Sequence, residues 1–115
     1  MTKSKINKTY LPMSETMYYL LLSFTEPRHG YGAIQYVEEI TEGRIRFGTG
    51  TVYNSLAKLE RDMLVSLVAK VDRRKIYLIT DTGRKLLKAE LRRLEKLIMN
   101  GHKRFQRISE RSKMP

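Results

Sequence analysis

Residues 48–80 read GTGTVYNSLAKLERDMLVSLVAKVDRRKIYLIT. The first part of this stretch predicts a helix over residues 50–62, because its apolar residues recur at intervals of four, three and four and so form one stripe. Thr49 or Thr51 can cap this helix, since a hydroxyl oxygen accepts from the free N–H groups of a first turn. The stripe consists of Val52, Leu56, Leu59 and Met63.

The second part of the same stretch predicts a β-hairpin. Residues 64–70 and 75–80 are rich in β-branched and aromatic side chains, and Asp72-Arg73-Arg74 lies between them. The hairpin therefore follows the amphipathic helix directly and carries a basic tip.

Two more helices are predicted before this stretch. The first covers residues 14–25 with Ser14 as its N-cap, and Pro27 prevents the helix from continuing because it has no N–H for the helical hydrogen bonds. The second covers residues 31–41. Residues 44–47 alternate between basic and apolar side chains, which predicts a single strand or an extended segment.

A long helix is predicted after the hairpin. It begins at Thr80 or Asp81, reaches at least Met99 and extends as far as Ile108. Its apolar residues alternate spacings of four and three, as in a coiled-coil seam, with Gly101 at one inward position. Because a small domain cannot cover such a seam alone, the pattern predicts self-association. The predicted dimerisation residues are Leu87, Leu91, Leu94, Ile98, Phe105 and Ile108.

The element order predicts a mainly α chain with a small β-hairpin wing, an α+β arrangement. More specifically, it is the order of a winged helix-turn-helix followed by a C-terminal dimerisation helix. The predicted divisions are a basic N-terminal arm over residues 1–13, a winged helix-turn-helix DNA-binding domain over 14–80, a dimerisation helix over 81–108 and a flexible tail over 109–115.

Composition limits the function classes. The 115 residues include 23 Lys and Arg against 12 Asp and Glu, which gives a formal net charge of +11. Such a charge attracts polyanions, although a basic protein without a nucleic-acid partner has the same composition. The absence of cysteine excludes disulfides and thiolate metal sites, and the longest apolar run, residues 17–24, is too short to span a bilayer. We therefore expect a soluble, cytoplasmic protein with no membrane partner.

A helix that reads the major groove of DNA needs a polar face with small residues near its start and cations beside it. The helix over 50–62 meets this requirement, although a solvated helix face looks the same. Asn54 can bond adenine through its amide, Lys58 can reach guanine or a phosphate, and Tyr53 either offers its hydroxyl to a phosphate or packs in the core. The hairpin tip can touch the neighbouring minor groove or its phosphates. The candidate DNA-binding residues are Thr49, Thr51, Tyr53, Asn54, Ser55, Lys58 and Arg61 on the helix, and Arg73, Arg74 and Lys75 at the tip.

No residue pattern indicates catalysis or a bound cofactor. His29 and His102 have no acid or second ligand at motif spacing. Glu38 and Glu39 are adjacent on a predicted helix and point about 100° apart, which suits solvation better than paired acid–base chemistry. We therefore expect neither an enzyme nor a metal site.

Several short segments together carry a family resemblance. They are Tyr18–Leu22 (YYLLL), Pro27–Tyr31 (PRHGY), Gly50–Tyr53 (GTVY) with Leu56, Leu59 and Glu60, and Tyr77–Thr80 (YLIT) with Gly83 and Arg84. The combination of a His-Gly-Tyr turn with a Gly-Thr-x-Tyr helix start is specific, and the match runs from about residue 13 to residue 105. In these features the chain resembles the short-chain subgroup of the PadR family of bacterial transcriptional regulators.

The resemblance implies a homodimeric winged-helix repressor that binds a near-palindromic operator in double-stranded DNA. In that family the helix matching residues 50–62 enters the major groove and the hairpin near 71–75 is the wing. The N-terminal segment and the last helix form the dimer interface, and some members bind small aromatic or drug-like effectors there. By position, the resemblance assigns DNA reading to Thr51, Tyr53, Asn54 and Lys58, and wing contacts to Arg73, Arg74 and Lys75.

Three residues depart from the family pattern. Thr49 replaces the usual proline, so the helix start relies on a hydroxyl cap. Met63 replaces a glycine, which argues against a left-handed C-cap there. The chain has no tryptophan to stack on a drug. Four of the other aromatic residues are candidates either to line an effector site or to pack in the core, namely Tyr10, Tyr18, Tyr19 and Phe105.

Two other binding functions fit the same features. The first is an architectural or RNA-binding nucleoprotein, or a DNA-segregation protein, because winged helices serve several purposes. The second is an adaptor whose basic face meets an acidic protein. A regulator differs from both by preferring one operator over random duplex by ~10³-fold or more.

Overall fold

The computed structural model describes residues 2–112 and confirms the predicted fold class, mainly α with one hairpin and a long C-terminal helix. The two strands pair as one antiparallel sheet, β1 against β2. In chain order the elements are α1 (Lys3–Tyr10), α2 (Glu15–Ser23), α3 (Gly30–Ile40), α4 (Thr49–Arg61), β1 (Val65–Val71), β2 (Arg74–Ile79) and α5 (Asp81–Ser112).

The hydrophobic core lies where α2, α3 and α4 meet the base of the hairpin. Leu20, Leu21 and Phe24 of the α2 region are fully buried there. The predicted stripe on α4 is confirmed for Val52, Leu56 and Leu59, which are all buried. Met63 was wrongly included in that stripe, because α4 ends before it and its side chain is 72% exposed.

The predicted N-terminal arm contains a helix, α1, that the apolar pattern did not reveal. Thr2 caps α1 by accepting from the backbone N–H of Lys5. Ile6 and Tyr10, one turn apart, are both buried in the core, and the Tyr10 hydroxyl donates a hydrogen bond to the Asp62 carboxylate. The segment therefore packs onto the end of α4, because these two side chains bury enough apolar surface to hold an otherwise polar helix.

The turn before α3 is fixed to the hairpin by main-chain hydrogen bonds. The Arg28 N–H donates to the Tyr77 carbonyl at 3.1 Å, and the Tyr77 N–H donates to the Arg28 carbonyl at 2.8 Å. His29 then caps α3, its Nδ1 accepting from the Gly32 N–H at 2.9 Å. The start of α3 is thereby held beside β2.

The start of α4 differs from the prediction. Gly48 is the N-cap, and neither Thr49 nor Thr51 caps the helix, because α4 already begins at Thr49 and places both threonines inside its first turn. Residues 44–47, just upstream, do not form a strand: Arg44 lies in a bend, and residues 45–47 have no regular secondary structure.

The end of α4 also differs from the prediction, because Met63 does adopt the left-handed conformation, with φ of 60°. The Leu64 N–H donates to the Leu59 carbonyl at 2.8 Å and the Met63 N–H donates to the Glu60 carbonyl at 3.0 Å. This pair of bonds is the Schellman arrangement, which satisfies the last carbonyls of the helix without a glycine.

The hairpin turns more tightly than the sequence indicated. Asp72 and Arg73 are its two turn residues, with φ of 50° and 67°, as a two-residue type I′ turn requires. Arg74 is already the first residue of β2, where it pairs with Val71. The three basic residues of the predicted tip therefore divide between the turn and the strand.

Helix α5 is longer than predicted. It continues to Ser112, so residues 109–112, which we expected in a flexible tail, are helical, while residues 113–115 lie outside the described part of the chain. Its N-terminal half packs on the core through Gly83, Leu86 and the fully buried Glu90. Its C-terminal half extends away from the rest of the chain. No helix within residues 2–112 is long and apolar enough to cross a membrane.

Candidate nucleic-acid interface

The polar residues of α4 lie opposite its buried stripe, as the sequence predicted. At 100° per residue, Asn54 and Arg61 point most directly away from the core. Most of the candidate residues on this helix are exposed, namely Thr49, Thr51, Tyr53, Asn54 and Arg61, whereas Ser55 and Lys58 are partly buried. The side of α4 that carries Thr51 and Asn54 is thus free to approach a ligand.

Lys58 is partly engaged within the chain. Its ammonium lies 5.1 Å from the centre of the Tyr10 ring, a cation–π contact that α1 supplies. Burial and the hydrogen bond to Asp62 raise the pKa of the Tyr10 hydroxyl well above its ordinary value, so the phenol keeps its proton and remains the donor. Helix α1 therefore covers one edge of the polar face of α4.

The wing supplies the cations beside this face. Arg73, Arg74 and Lys75 are all exposed. Arg74 Nη1 lies 3.0 Å from Nε2 of His29, although the two residues are 45 positions apart in the sequence. The structure thus brings a turn residue from before α3 into contact with the predicted wing residues.

A cleft of about 500 Å³ separates α4 from the wing. We call it the wing cleft, and none of the residues that line it is acidic. Three of its lining residues are the cations Arg73, Arg74 and Lys75. The others are His29, Tyr31, Tyr53 and Tyr77.

The Tyr53 ring forms one wall of the wing cleft and packs against Gly30. A Cβ atom on Gly30 would lie 2.8 Å from two ring carbons of Tyr53, so a side chain at this position would displace the ring. Tyr53 is nevertheless 51% exposed. Tyr53 is therefore not a core residue, because its ring packs against the domain while much of it faces the cleft; its contact with a phosphate stays a prediction.

Sequence reasoning gave no role to His29 or Tyr31, although both line the wing cleft. Their rings are stacked, with centroids 6.5 Å apart. The sequence signal that could have identified them is the His-Gly-Tyr turn, which served above only to identify the family resemblance. Burial, and secondarily the Arg74 guanidinium, lower the pKa of His29 and so favour its neutral form.

The predicted dimerisation residues lie along α5 at increasing distance from the core. Leu87 and Leu94 are partly buried, and the rest of the seam is exposed within the described chain. The exposed apolar surface is wider than the predicted seam, because it also includes Leu97 and Met99. The exposed members of the seam are Leu91, Ile98, Phe105 and Ile108.

The four candidate effector-site aromatics do not come together. Tyr10 is buried in the core, Phe105 is far along α5, and the Tyr18 and Tyr19 rings contact each other edge to face on α2. Tyr18 also lines an apolar groove of about 300 Å³ between α2 and α5. The remaining lining residues of this groove are Leu22, Arg84, Leu87, Lys88 and Leu91.

Among residues 2–112, no three His, Cys, Asp or Glu side chains are grouped so that they could hold a metal ion.

Comparison with known proteins gives one family match. The model of the transcriptional regulator PadR-like family matches residues 19–89, which carry α2 to the first part of α5. An uncharacterized 37.1 kDa protein in transposon TN4556 of Streptomyces fradiae is 32% identical over 71 residues. Those residues are 62% of this chain and 20% of that protein, so the chain spans about a fifth of the length of this curated relative.

Solved structures share the fold. A PadR-like transcription factor from Bacteroides fragilis is 26% identical, with a TM-score of 0.62, over 87% of this chain and 94% of that one. Bacillus subtilis PadR, solved in complex with operator DNA, is 22% identical, with a TM-score of 0.58, over 65% of this chain and 46% of that one. The arrangement of α2 to α5 described above is thus the winged-helix fold of such regulators.

Proposed function

Since this chain belongs to the transcriptional regulator PadR-like family, whose members are regulators and not enzymes, we propose that it represses transcription by binding a near-palindromic operator as a homodimer. Helix α4 enters the major groove of each half-site, and the wing contacts the adjacent minor groove or its phosphates. Asn54 and Thr51 read base edges, while Arg61 and the wing cations hold the backbone.

One observation carries this proposal. The polar face of α4 that includes Asn54 and Thr51 is exposed, and the exposed cations of the wing flank it across a cleft without acidic residues. A solvated helix face needs no such cationic flank, whereas a helix in the major groove has a phosphate strand on either side. The net charge of +11 has the sign that such a partner requires.

The direct test is the affinity of the purified protein for duplexes selected from random sequence. Fluorescence anisotropy is measured at two salt concentrations with random duplex as competitor. We expect a palindromic duplex to be preferred by ~10³-fold or more. Salt-dependent binding without preference would instead indicate an architectural nucleoprotein, and no duplex binding at low salt would indicate a protein partner.

Asn54→Ala tests base reading within that experiment. We expect a loss of ~1–3 kcal/mol on the selected duplex and relaxed preference at one base position, because the amide bonds a base edge. Arg74→Ala is the matched backbone variant, and it weakens binding to selected and random duplexes alike. Equal losses on both duplexes for Asn54→Ala would remove that residue from the base-reading set.

We further infer that a small aromatic effector binds the groove between α2 and α5 and releases the operator. Apolar side chains line this groove and Arg84 and Lys88 border it, so its chemistry suits an anionic aromatic compound. The dye anilinonaphthalene sulfonate is a suitable probe. Its fluorescence should rise with the wild-type protein and rise much less with Leu22→Gln; an equal rise would place the dye elsewhere.

A further inference from the structure

The hydrogen bonds around His29 determine which ring nitrogen carries the proton. The Gly32 N–H is a donor in every state of the protein, and it lies 2.9 Å from Nδ1 of His29. Nδ1 must therefore accept, and in a neutral imidazole the proton is then on Nε2. Nε2 thus carries an N–H that points away from the helix.

That N–H faces a second donor. Arg74 Nη1 lies 3.0 Å from Nε2, and a guanidinium has no acceptor atom. Within residues 2–112, no carboxylate or carbonyl oxygen accepts a hydrogen bond from either group. Asp72 lines the neighbouring cavity with both residues but bonds neither of them. Two converging donors at this distance need an acceptor that contacts both.

The position of the pair is set by the fold rather than by flexible side chains alone. The reciprocal main-chain bonds between Arg28 and Tyr77 hold the residue before His29 against β2, on which Arg74 lies three residues earlier. The pair opens into the wing cleft, where Arg73 and Lys75 add positive charge. When a recognition helix lies in one groove and a wing in the next, the sugar-phosphate strand between those grooves passes between them.

We propose that His29 and Arg74 together bind one phosphate oxygen of the DNA backbone strand that passes through the wing cleft. The oxygen accepts from Nε2–H and from the guanidinium at once and so removes the donor–donor conflict. This inference rests on the proposed function only in requiring duplex DNA as the partner. It assigns to His29 a contact that positions the duplex without reading its sequence.

His29→Asn is the decisive variant. Asparagine is among the best N-cap residues, so α3 keeps its cap while the Nε2 donor is lost. Arg74→Gln replaces the charged guanidinium with a shorter, neutral amide at an exposed strand position and does not threaten the fold. Lys75→Gln is the matched control, because it removes a cation from the same cleft and leaves the pair intact.

The first measurement uses a selected duplex carrying a single uncharged methylphosphonate at each backbone position in turn. We expect wild-type affinity to fall by about tenfold at one phosphate of each half-site. His29→Asn and Arg74→Gln should bind the unmodified duplex about tenfold more weakly than wild type does. Their affinity should not fall further when the methylphosphonate replaces that one phosphate, whereas the affinity of Lys75→Gln should still fall there. If the loss of affinity from either substitution adds to the loss from the methylphosphonate at every backbone position, the proposal is overturned.

The second measurement does not require an operator. The imidazole signals of His29 are followed by NMR while a random-sequence duplex is added at low salt, with His102 on α5 as the internal reference. We expect His29 to shift, His102 to stay, and the shift to vanish in Arg74→Gln. Unselective binding with this shift would contradict the regulator but support the phosphate contact. If the His29 signals do not shift when the duplex binds, or shift equally in Arg74→Gln, the contact is overturned.

Discussion

Gly83 has no room for a side chain. A Cβ atom there would lie 2.2 Å from the Leu64 carbonyl oxygen and 2.7 Å from Ile79 Cγ1. The Leu64 carbonyl is held in place because it accepts from the Thr80 N–H at 3.0 Å, so it cannot move aside cheaply. Glycine at this position is what allows the first turn of α5 to sit against the base of the hairpin.

We therefore expect Gly83→Ala to lower the free energy of unfolding by about 1–3 kcal/mol, the usual cost of overpacking. Gly50→Ala in α4, away from the proposed dimer seam, is the control, because no atom lies within 4 Å of the added Cβ. It should raise helix stability by ~0.5–1 kcal/mol. Urea unfolding of wild type and the two variants measures both changes in the free energy of unfolding. If Gly83→Ala does not change it, α5 can shift along the hairpin to make room for the methyl group.

Met63 shows a residue conformation that sequence alone predicted wrongly. The side chain argued against a left-handed cap, yet the two Schellman bonds and the burial of Leu59 and Leu64 impose one. A local preference worth about 1–2 kcal/mol is overridden, because reversing the turn would expose two core leucines.

Met63→Gly should raise the free energy of unfolding by ~0.5–1 kcal/mol. Glycine removes the energetic penalty of the left-handed conformation, and little packing is lost because the methionine side chain is exposed. The greater entropy of the unfolded chain with glycine offsets part of this gain. Met63→Ala keeps the penalty and serves as the control, with no expected gain. Thermal unfolding distinguishes the two, and a stabilised Met63→Ala would show that side-chain length, not φ, matters.

At the scale of elements, apolar periodicity predicts α2, α3, α4, the hairpin and α5 but not α1. The sequence KSKINKTY offers only Ile6 and Tyr10 as apolar positions, too few for a recognisable stripe. Its helix is stabilised by contacts with residues distant in sequence, among them Asp62, which lies 52 positions after Tyr10 and directly follows α4. The same limit applies to His29, whose partner Arg74 becomes a neighbour only after the hairpin docks.

The buried carboxylate of Glu90 connects α5 to the segment that joins α1 and α2. It accepts from the Met13 N–H at 2.7 Å and forms an ion pair with Arg93. The hydrogen bonds from Arg93 chiefly, together with the one from Met13, hold the pKa of Glu90 below its ordinary value against the opposing effect of burial. Glu90 therefore stabilises the fold in its charged form.

Glu90→Gln should lower the free energy of unfolding at pH 7 by about 2 kcal/mol, because the amide has no charge to pair with Arg93 and places an NH₂ donor where one carboxylate oxygen accepts. A depressed folded pKa contributes stability above the ordinary carboxyl value, and that stability is lost as the pH falls through the folded pKa. The difference in the free energy of unfolding between wild type and Glu90→Gln, measured by urea unfolding, should therefore decrease from pH 7 to pH 3. Exposed Glu95→Gln is the control; a gap that stays constant with pH would contradict the assigned charge.

At the scale of the whole molecule, the exposed half of α5 is the feature that a single chain does not explain. A helix of 32 residues is about 48 Å long, and only its first part packs on the core. The long axis of the chain reaches 69 Å. Large apolar side chains with about half or more of their surface exposed continue along the projecting part, at Leu97, Ile98, Met99, Phe105 and Ile108.

In the proposed dimer, a second copy of the chain covers this apolar surface. Phe105 is the best residue at which to test this, because its side chain is 71% exposed. Phe105→Glu should yield a monomer at about 10 μM by light scattering, where we expect a dimer for wild type, and should leave the N-terminal domain folded. Operator affinity should fall about 100-fold as the two half-sites lose their linkage. Gln106→Glu introduces the same charge one residue off the seam and should change neither property. A Phe105→Glu protein that remains dimeric would show that the seam is not the interface, because a buried, unpaired carboxylate cannot be tolerated within one.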